Sequence, residues 1–367
     1  MILARSLREA LMDEAGWGNA ARSALRYQHH AAARMRAGIA AACLLMLQAL
    51  SPAIAGGRVE TGLDASSRML GHPVRYAIYL PEAPAAAAGR RLPVLYLLHG
   101  RGDSESAWLE HGNIAAILDR KIVSGELQPL IVVMPMAGNS WYVDDARSGA
   151  GSYGAMAQAL TGDLMAAVDS RYRTAACREA RGVGGLSMGG FGAMVYAFDH
   201  PELYSAAFSL SGSLFSEQAD DIAARRGRYA QMFGGVYGEP FDEARFRSWT
   251  AFAKLDKAGP EAKKVAVWLA AGDDDFPALL SGTVRFHQEL QRRSVSSELR
   301  IYDGAHTWAL WSSAVDPALS WLSARLDPGC GATARKPIQK SEQESRSTAA
   351  PVQPVVRPTP ASGVDKR

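Results

Sequence analysis

The sequence predicts a mostly parallel α/β sheet with helices on both faces. Three observations lead there. Seven short runs are almost wholly apolar and rich in β-branched residues, long amphipathic stretches separate the later runs, and a glycine-flanked serine sits where one run meets one stretch. Strands buried on both faces read as continuous apolar runs, whereas strands with one wet face alternate.

The runs fall at residues 74–80, 93–99, 130–135, 182–186, 206–211, 265–271 and 297–302. Helical periodicity covers 153–172, 189–198, 277–293 and 309–326, and alternation of the two patterns argues for parallel crossovers. Residues 214–264 break the alternation with Phe233-Gly234-Gly235 and Gly238-Glu239-Pro240. This stretch reads as a small cap excursion over the active site. No fixed-period repeat is visible.

The ends differ from the middle. Arg34, Met35 and Arg36 precede an apolar run, 37–50, that closes on Ala53-Ile54-Ala55. A basic start, an apolar stretch and a small-x-small ending form a secretory signal peptide, so cleavage is expected after Ala55. The residues ahead of Met35 are polar and patternless, which fits translation starting at Met35. An uncleaved anchor competes, but the run is shorter than the ~20 residues of a membrane span, and no span is expected after processing. Cys43 lies too early in the run for a lipoprotein box. Residues 331–367 are rich in Pro, Ser, Thr, Gln and charge, a composition expected to stay disordered. The expected divisions are 1–55 (extension and signal), 56–330 (catalytic domain) and 331–367 (tail), with a periplasmic or secreted destination.

The 367 residues carry a net charge of +3. Six arginines against three acids in 1–55 and seven cations against three acids in 331–367 put +3 and +4 on the ends, leaving −4 on the middle. Nucleic acid is therefore excluded as an expected partner. Of three cysteines, Cys43 leaves with the signal. Cys177 and Cys330 can then pair in an oxidising compartment or stay as two unrelated thiols.

Gly185-Leu186-Ser187-Met188-Gly189 is the single G-x-S-x-G match, placed between an apolar strand and a helical run. That strand–turn–helix context exposes a nucleophilic serine on a strained turn and aims helix amides at developing negative charge. With such an elbow the acid and then the histidine follow in the chain. His287 lies inside a helical pattern, whereas His306 follows the last strand and the turn Asp303-Gly304-Ala305. Loops at strand C-terminal ends are where chemistry gathers in open α/β sheets, so His306 is the expected base. Asp273, Asp274 and Asp275 compete for the acid after strand 265–271. Asp275 is favoured because the Phe276 ring can shield its carboxylate from water, against the alternative that it caps the helix from Pro277. Met188 and Arg101 are the expected oxyanion-hole amides, Arg101 lying in the Gly-rich loop after strand 93–99. His99 precedes the serine and is expected only to shape that loop.

These motifs resemble the esterase D branch of the α/β-hydrolase fold, over roughly 57–327. The resemblance rests on Leu97-Leu98-His99-Gly100 with Trp108, on Ser140-Trp141-Tyr142 and on Gly185-Leu186-Ser187-Met188-Gly189-Gly190-Phe191-Gly192-Ala193. It rests also on Gly272 to Asp275 with Phe276, and on Gly304-Ala305-His306-Thr307-Trp308 with Trp311. The branch includes tributyrin-type, feruloyl and enterochelin esterases, S-formylglutathione hydrolases and mycolyltransferases. Its Gly-x-x-Asp spacing falls on Asp275. It implies a serine carboxylesterase acting on a small-molecule ester through an acyl-enzyme, with no metal or organic cofactor. Ala305 stands where the branch often has glycine. His99-Gly100 stands where mycolyltransferases usually have Asp-Gly, which lowers an acyltransferase reading. A catalytically dead binding module is the rival from another class. Trp141, Tyr142, Trp308 and Trp311 are candidates to line the substrate pocket or to pack the core.

Overall fold

The computed structural model describes residues 56–332 apart from 83–88 and 216–218. The expected signal segment and all but the first two residues of the expected tail lie outside the described residues. Eight strands form one sheet: β1 (Arg58–Ala65), β2 (Val74–Leu80), β3 (Val94–Leu98), β4 (Ile131–Pro135), β5 (Arg181–Leu186), β6 (Ala206–Leu210), β7 (Ala266–Gly272) and β8 (Ser297–Tyr302). Their spatial order is β1-β2-β4-β3-β5-β6-β7-β8. The pairs β1–β2 and β2–β4 are antiparallel, and every pair from β4 to β8 is parallel. This is the α/β-hydrolase arrangement the sequence predicts.

The α-helices longer than one turn are α1 (Ile114–Ser124), α2 (Met165–Arg171), α3 (Met188–Asp199), α4 (Ala219–Phe233), α5 (Glu243–Ser248), α6 (Ala251–Ala258), α7 (Pro277–Arg292) and α8 (Trp308–Ser323). Alternate strand residues feed two apolar layers. Tyr96 and Val183 face a core shared with Leu164, Phe198 and Phe286. Leu95 and Leu97 face the other, shared with Leu118, Val315 and Leu322. Strands β3 to β7 are buried almost throughout, which is why each reads as an unbroken apolar run.

Strand β1 is absent from the sequence expectation. Its residues, Arg-Val-Glu-Thr-Gly-Leu-Asp-Ala, are mostly exposed. Its register slips between Glu60 and Leu63, where Gly62 takes φ +64°. An edge strand with a glycine bulge offers no apolar run to read. The 214–264 excursion holds α4, α5 and α6. Phe233 anchors it with an aromatic cluster that includes Tyr237, Phe241 and Phe246. Among the described residues no helix is long and apolar enough to cross a membrane.

Cys177 and Cys330 are joined as a disulfide, 153 residues apart in sequence. It ties the segment before β5 to the turn Pro328–Ala332 after α8. In the chain-entropy model, closing a loop of this length stabilises the fold by about 5 kcal/mol. Cys330→Ser should therefore lower Tm by several degrees; an unchanged Tm would show that the bridge carries no stability.

Candidate active site

Every element that shapes the site ends at the same edge of the sheet. Ser187 follows β5, Ser211 follows β6, Asp275 follows β7 and His306 follows β8. Parallel strands converge their C-terminal loops, so residues far apart in sequence meet there.

Ser187 sits at φ 52° and ψ −116° as the residue before α3. Such a backbone costs on the order of 1–3 kcal/mol and persists only where the surroundings impose it. Its N–H donates to the Leu210 carbonyl at 2.9 Å, and its own carbonyl accepts from the Ser213 N–H at 3.2 Å. A Cβ on Gly185 would stand 2.7 Å from both the Leu98 and Gly189 carbonyl oxygens, and one on Gly189 would collide with the Leu98 carbonyl. The turn closes only with glycine at those two positions.

His306 Nε2 lies 2.9 Å from Ser187 Oγ, and Nδ1 lies 2.9 Å from Asp275 Oδ1. An ionised carboxylate only accepts, so Nδ1–H is the donor. In the neutral ring Nε2 is then the acceptor for the serine proton. Asp275 is 5% exposed, and Oδ1 also accepts the Phe276 N–H at 2.7 Å. Burial alone would raise its pKa. Hydrogen bonds from His306 and Ser211, the His306 charge and the Phe276 amide outweigh burial and hold it below the usual carboxylate value. The stability this carboxylate contributes is thus complete above the ordinary carboxylate pKa and is lost as pH falls through the lowered one.

Asp273 and Asp274 are exposed. Asp273 Oδ1 accepts the Gly304 N–H at 3.0 Å, and the Asp274 N–H donates to the Gly304 carbonyl at 3.1 Å. Both brace the loop that carries His306. The capping alternative for Asp275 falls away, and the argument from the Phe276 ring needs correction. No side chain caps α7; its cap residue is Phe276. The Phe276 ring is 62% exposed and lies over His306, centroids 5.2 Å apart. Its backbone N–H, not its ring, steadies the carboxylate.

Ser211 is a site residue the sequence does not single out. It is fully buried at φ +49°, anchored by its N–H to the Ala270 carbonyl at 2.7 Å. Its Oγ and Asp275 Oδ2 are both buried without a hydrogen-bond partner of regular geometry, and the hydroxyl beside the carboxylate helps hold it ionised. A hydrogen bond to a charged group is worth about 1.5–3 kcal/mol. Ser211→Ala should lower kcat for an ester about tenfold; a loss under twofold would remove Ser211 from the site.

In the loop after β3, the Gly102 N–H donates to Asn139 Oδ1 at 2.8 Å and the Gly100 N–H to Asp103 Oδ2 at 3.2 Å. The Arg101 N–H between them is left for another acceptor, as is the Met188 N–H at the first position of α3. His99 is buried, with Nδ1–H donating to the Gly100 carbonyl at 2.7 Å and Nε2 accepting the Ala137 N–H at 3.1 Å. Burial lowers its pKa, so it is a neutral strut for this loop. His287 is half-buried on α7, beside Ser297 Oγ at 3.2 Å, away from the serine. A cleft of about 390 Å³ opens over Ser187 and His306, walled by Trp141, Phe215, Tyr229 and Leu279.

The family model described as "Putative esterase" matches residues 66–322. The chain belongs to this esterase family. An esterase of Mycobacterium tuberculosis is 28% identical over 268 residues, 68% of this chain and 56% of that protein. An acetyl esterase of Caldicellulosiruptor saccharolyticus is 24% identical over 243 residues, 64% of this chain and 85% of that protein. The chain thus spans about half the length of the mycobacterial relative. Among solved structures, a ferulic acid esterase aligns with a TM-score of 0.61 at 24% identity, covering 74% of this chain and 99% of its own. An S-formylglutathione hydrolase of Agrobacterium tumefaciens aligns at 0.58 and 20% identity, covering 74% and 96%. These structures share the fold.

Of the four aromatic residues expected as candidates for the substrate pocket, only Trp141 lines the cleft. Trp141 and Tyr142 both take positive φ, 55° and 58°, and this double turn sends them apart. Tyr142 is 0% exposed and donates its hydroxyl to the His99 carbonyl at 3.0 Å. Trp311 is buried and packs edge-on against the His306 ring, centroids 4.8 Å apart. Trp308 packs on Trp108, His111 and Trp311. These three support the catalytic loops from the core side and do not line the cleft.

Proposed function

We propose that the protein is an exported serine carboxylesterase that hydrolyses a small ester through an acyl-enzyme. Ser187 attacks the ester carbonyl as His306 Nε2 takes its proton. His306 then protonates the leaving alcohol, and the cycle repeats with water. Asp275 holds the ring in the required tautomer and stabilises the imidazolium. The Met188 and Arg101 amides receive the oxyanion, each such donor being worth ~10²–10³ in turnover. The observation that carries this reading is the unbroken Ser187–His306–Asp275 relay, two contacts of 2.9 Å each.

Purified protein should turn over a p-nitrophenyl ester, with a feruloyl and a cyclic triester siderophore substrate alongside to define the alcohol and acyl halves. Added alcohol acceptors in the same assay separate hydrolysis from acyl transfer. No turnover of any ester, with no labelling of Ser187 by a fluorophosphonate, would sink the proposal and favour a binding module. Export rests on the signal-like residues 34–55 and agrees with the Cys177–Cys330 disulfide, a bond that persists in oxidising compartments. N-terminal sequencing of the processed protein should begin at Gly56; an unprocessed cytosolic chain would refute it.

A further inference from the structure

We infer that the cleft selects esters bearing an anionic group, with Arg228 as a specificity-determining residue; this rests on the hydrolase reading above. The guanidinium-bearing residues Arg101 and Arg228 both line the cleft that holds Ser187, and no described Asp or Glu lines it. Both are exposed. Neither pairs with a described carboxylate, whereas Arg147, Arg181 and Arg293 are tied to Asp145, Asp169 and Asp256.

The acid nearest in sequence to Arg101, Asp103, forms no ion pair with it and binds backbone. Asp103 Oδ2 accepts the Gly100 N–H instead. Along α4, the residues three and four places from Arg228 are Ala224, Arg225, Gln231 and Met232, so no helix neighbour can neutralise it. The cations stand out against their background, because residues 56–330 carry a net −4. A cleft lined by one sign of charge and walled by apolar side chains concentrates ligands of the opposite sign. Phe215, Tyr229, Met232 and Leu279 supply the apolar wall. The fitting substrate has an apolar body, an ester carbonyl within reach of Ser187 and a carboxylate beyond it.

The charge can lie in either half of the ester, and two matched pairs distinguish them. For the acyl half the pair is mono-p-nitrophenyl suberate, whose carboxylate is too distant to attack its own ester, and its methyl ester. For the alcohol half it is 4-acetoxybenzoate and its methyl ester. Each ratio of kcat/KM, anionic over neutral, is divided by the ratio for hydroxide-catalysed hydrolysis of the same two compounds. At least one normalised ratio should exceed one by roughly fivefold or more, the size expected of two exposed cations. Arg228→Gln should lower that ratio several-fold, as should 0.5 M NaCl against low salt, while Arg228→Lys should restore most of it. Normalised ratios at or below one in both pairs would overturn the inference, as would ratios indifferent to Arg228→Gln and to salt. Those outcomes, with the neutral esters still hydrolysed through Ser187, leave the hydrolase reading intact. If the protein hydrolyses none of the four, that reading fails first.

Discussion

Ser187→Ala should abolish ester turnover while leaving the fold in place. Among the described hydroxyls lining the cleft, that of Ser187 is the one in contact with His306 Nε2, and removing such a nucleophile costs up to ~10⁶ in kcat. The residual rate comes from the oxyanion donors and from binding. The backbone at this position is already strained, and alanine bears the same strain with the same Cβ, so Tm should stay within a few degrees of the parent. Fluorophosphonate labelling should vanish with activity. A folded variant with parental turnover would show that another residue is the nucleophile.

Asp275→Asn should cut kcat by about 10²–10⁴. The surroundings decide how the asparagine sits. The Phe276 N–H donates to the Oδ1 position, which requires a carbonyl oxygen there. The same oxygen then accepts His306 Nδ1–H, and the new amide group faces the Ser211 hydroxyl, which can accept. The tautomer is therefore kept and the loss is mainly that of the negative charge facing the imidazolium. Asp273→Asn and Asp274→Asn should each cost only a few-fold, since both residues brace the His306 loop from outside. A larger loss from Asp274→Asn than from Asp275→Asn would place the acid one residue upstream.

The sheet interior was readable because burial on both faces leaves an unmistakable apolar pattern. Strands β2 and β8 match the expected ranges to the residue. Strand β1 escaped because an exposed edge leaves no such pattern. The serine and histidine positions were readable because local turn chemistry marks them. Ser211 and Arg228 were not, because each matters only through what the fold sets beside it. The misread aromatics teach the same point. Tyr142 and Trp141 are adjacent in sequence, and only two successive left-handed residues send one to the cleft and the other to the core.

The fit between Gly189 and the Leu98 carbonyl has a bearing on how such a site can diversify. The start of α3 and the loop after β3 touch with no room for a single methyl group. Attacking atom and amide donors are therefore carried on one welded piece, and neither can be retuned without dislodging the other. The opposite wall is built from the 214–264 excursion, including Phe215, Arg228 and Met232, and no described residue of 214–264 hydrogen-bonds the Ser187 backbone. Changes of substrate are thus open to one wall of the cleft and closed to the other. Libraries confined to positions 215, 228, 229 and 232 should yield new preferences at undiminished intrinsic reactivity. Libraries at 185, 189 and 190 should yield mostly inactive protein.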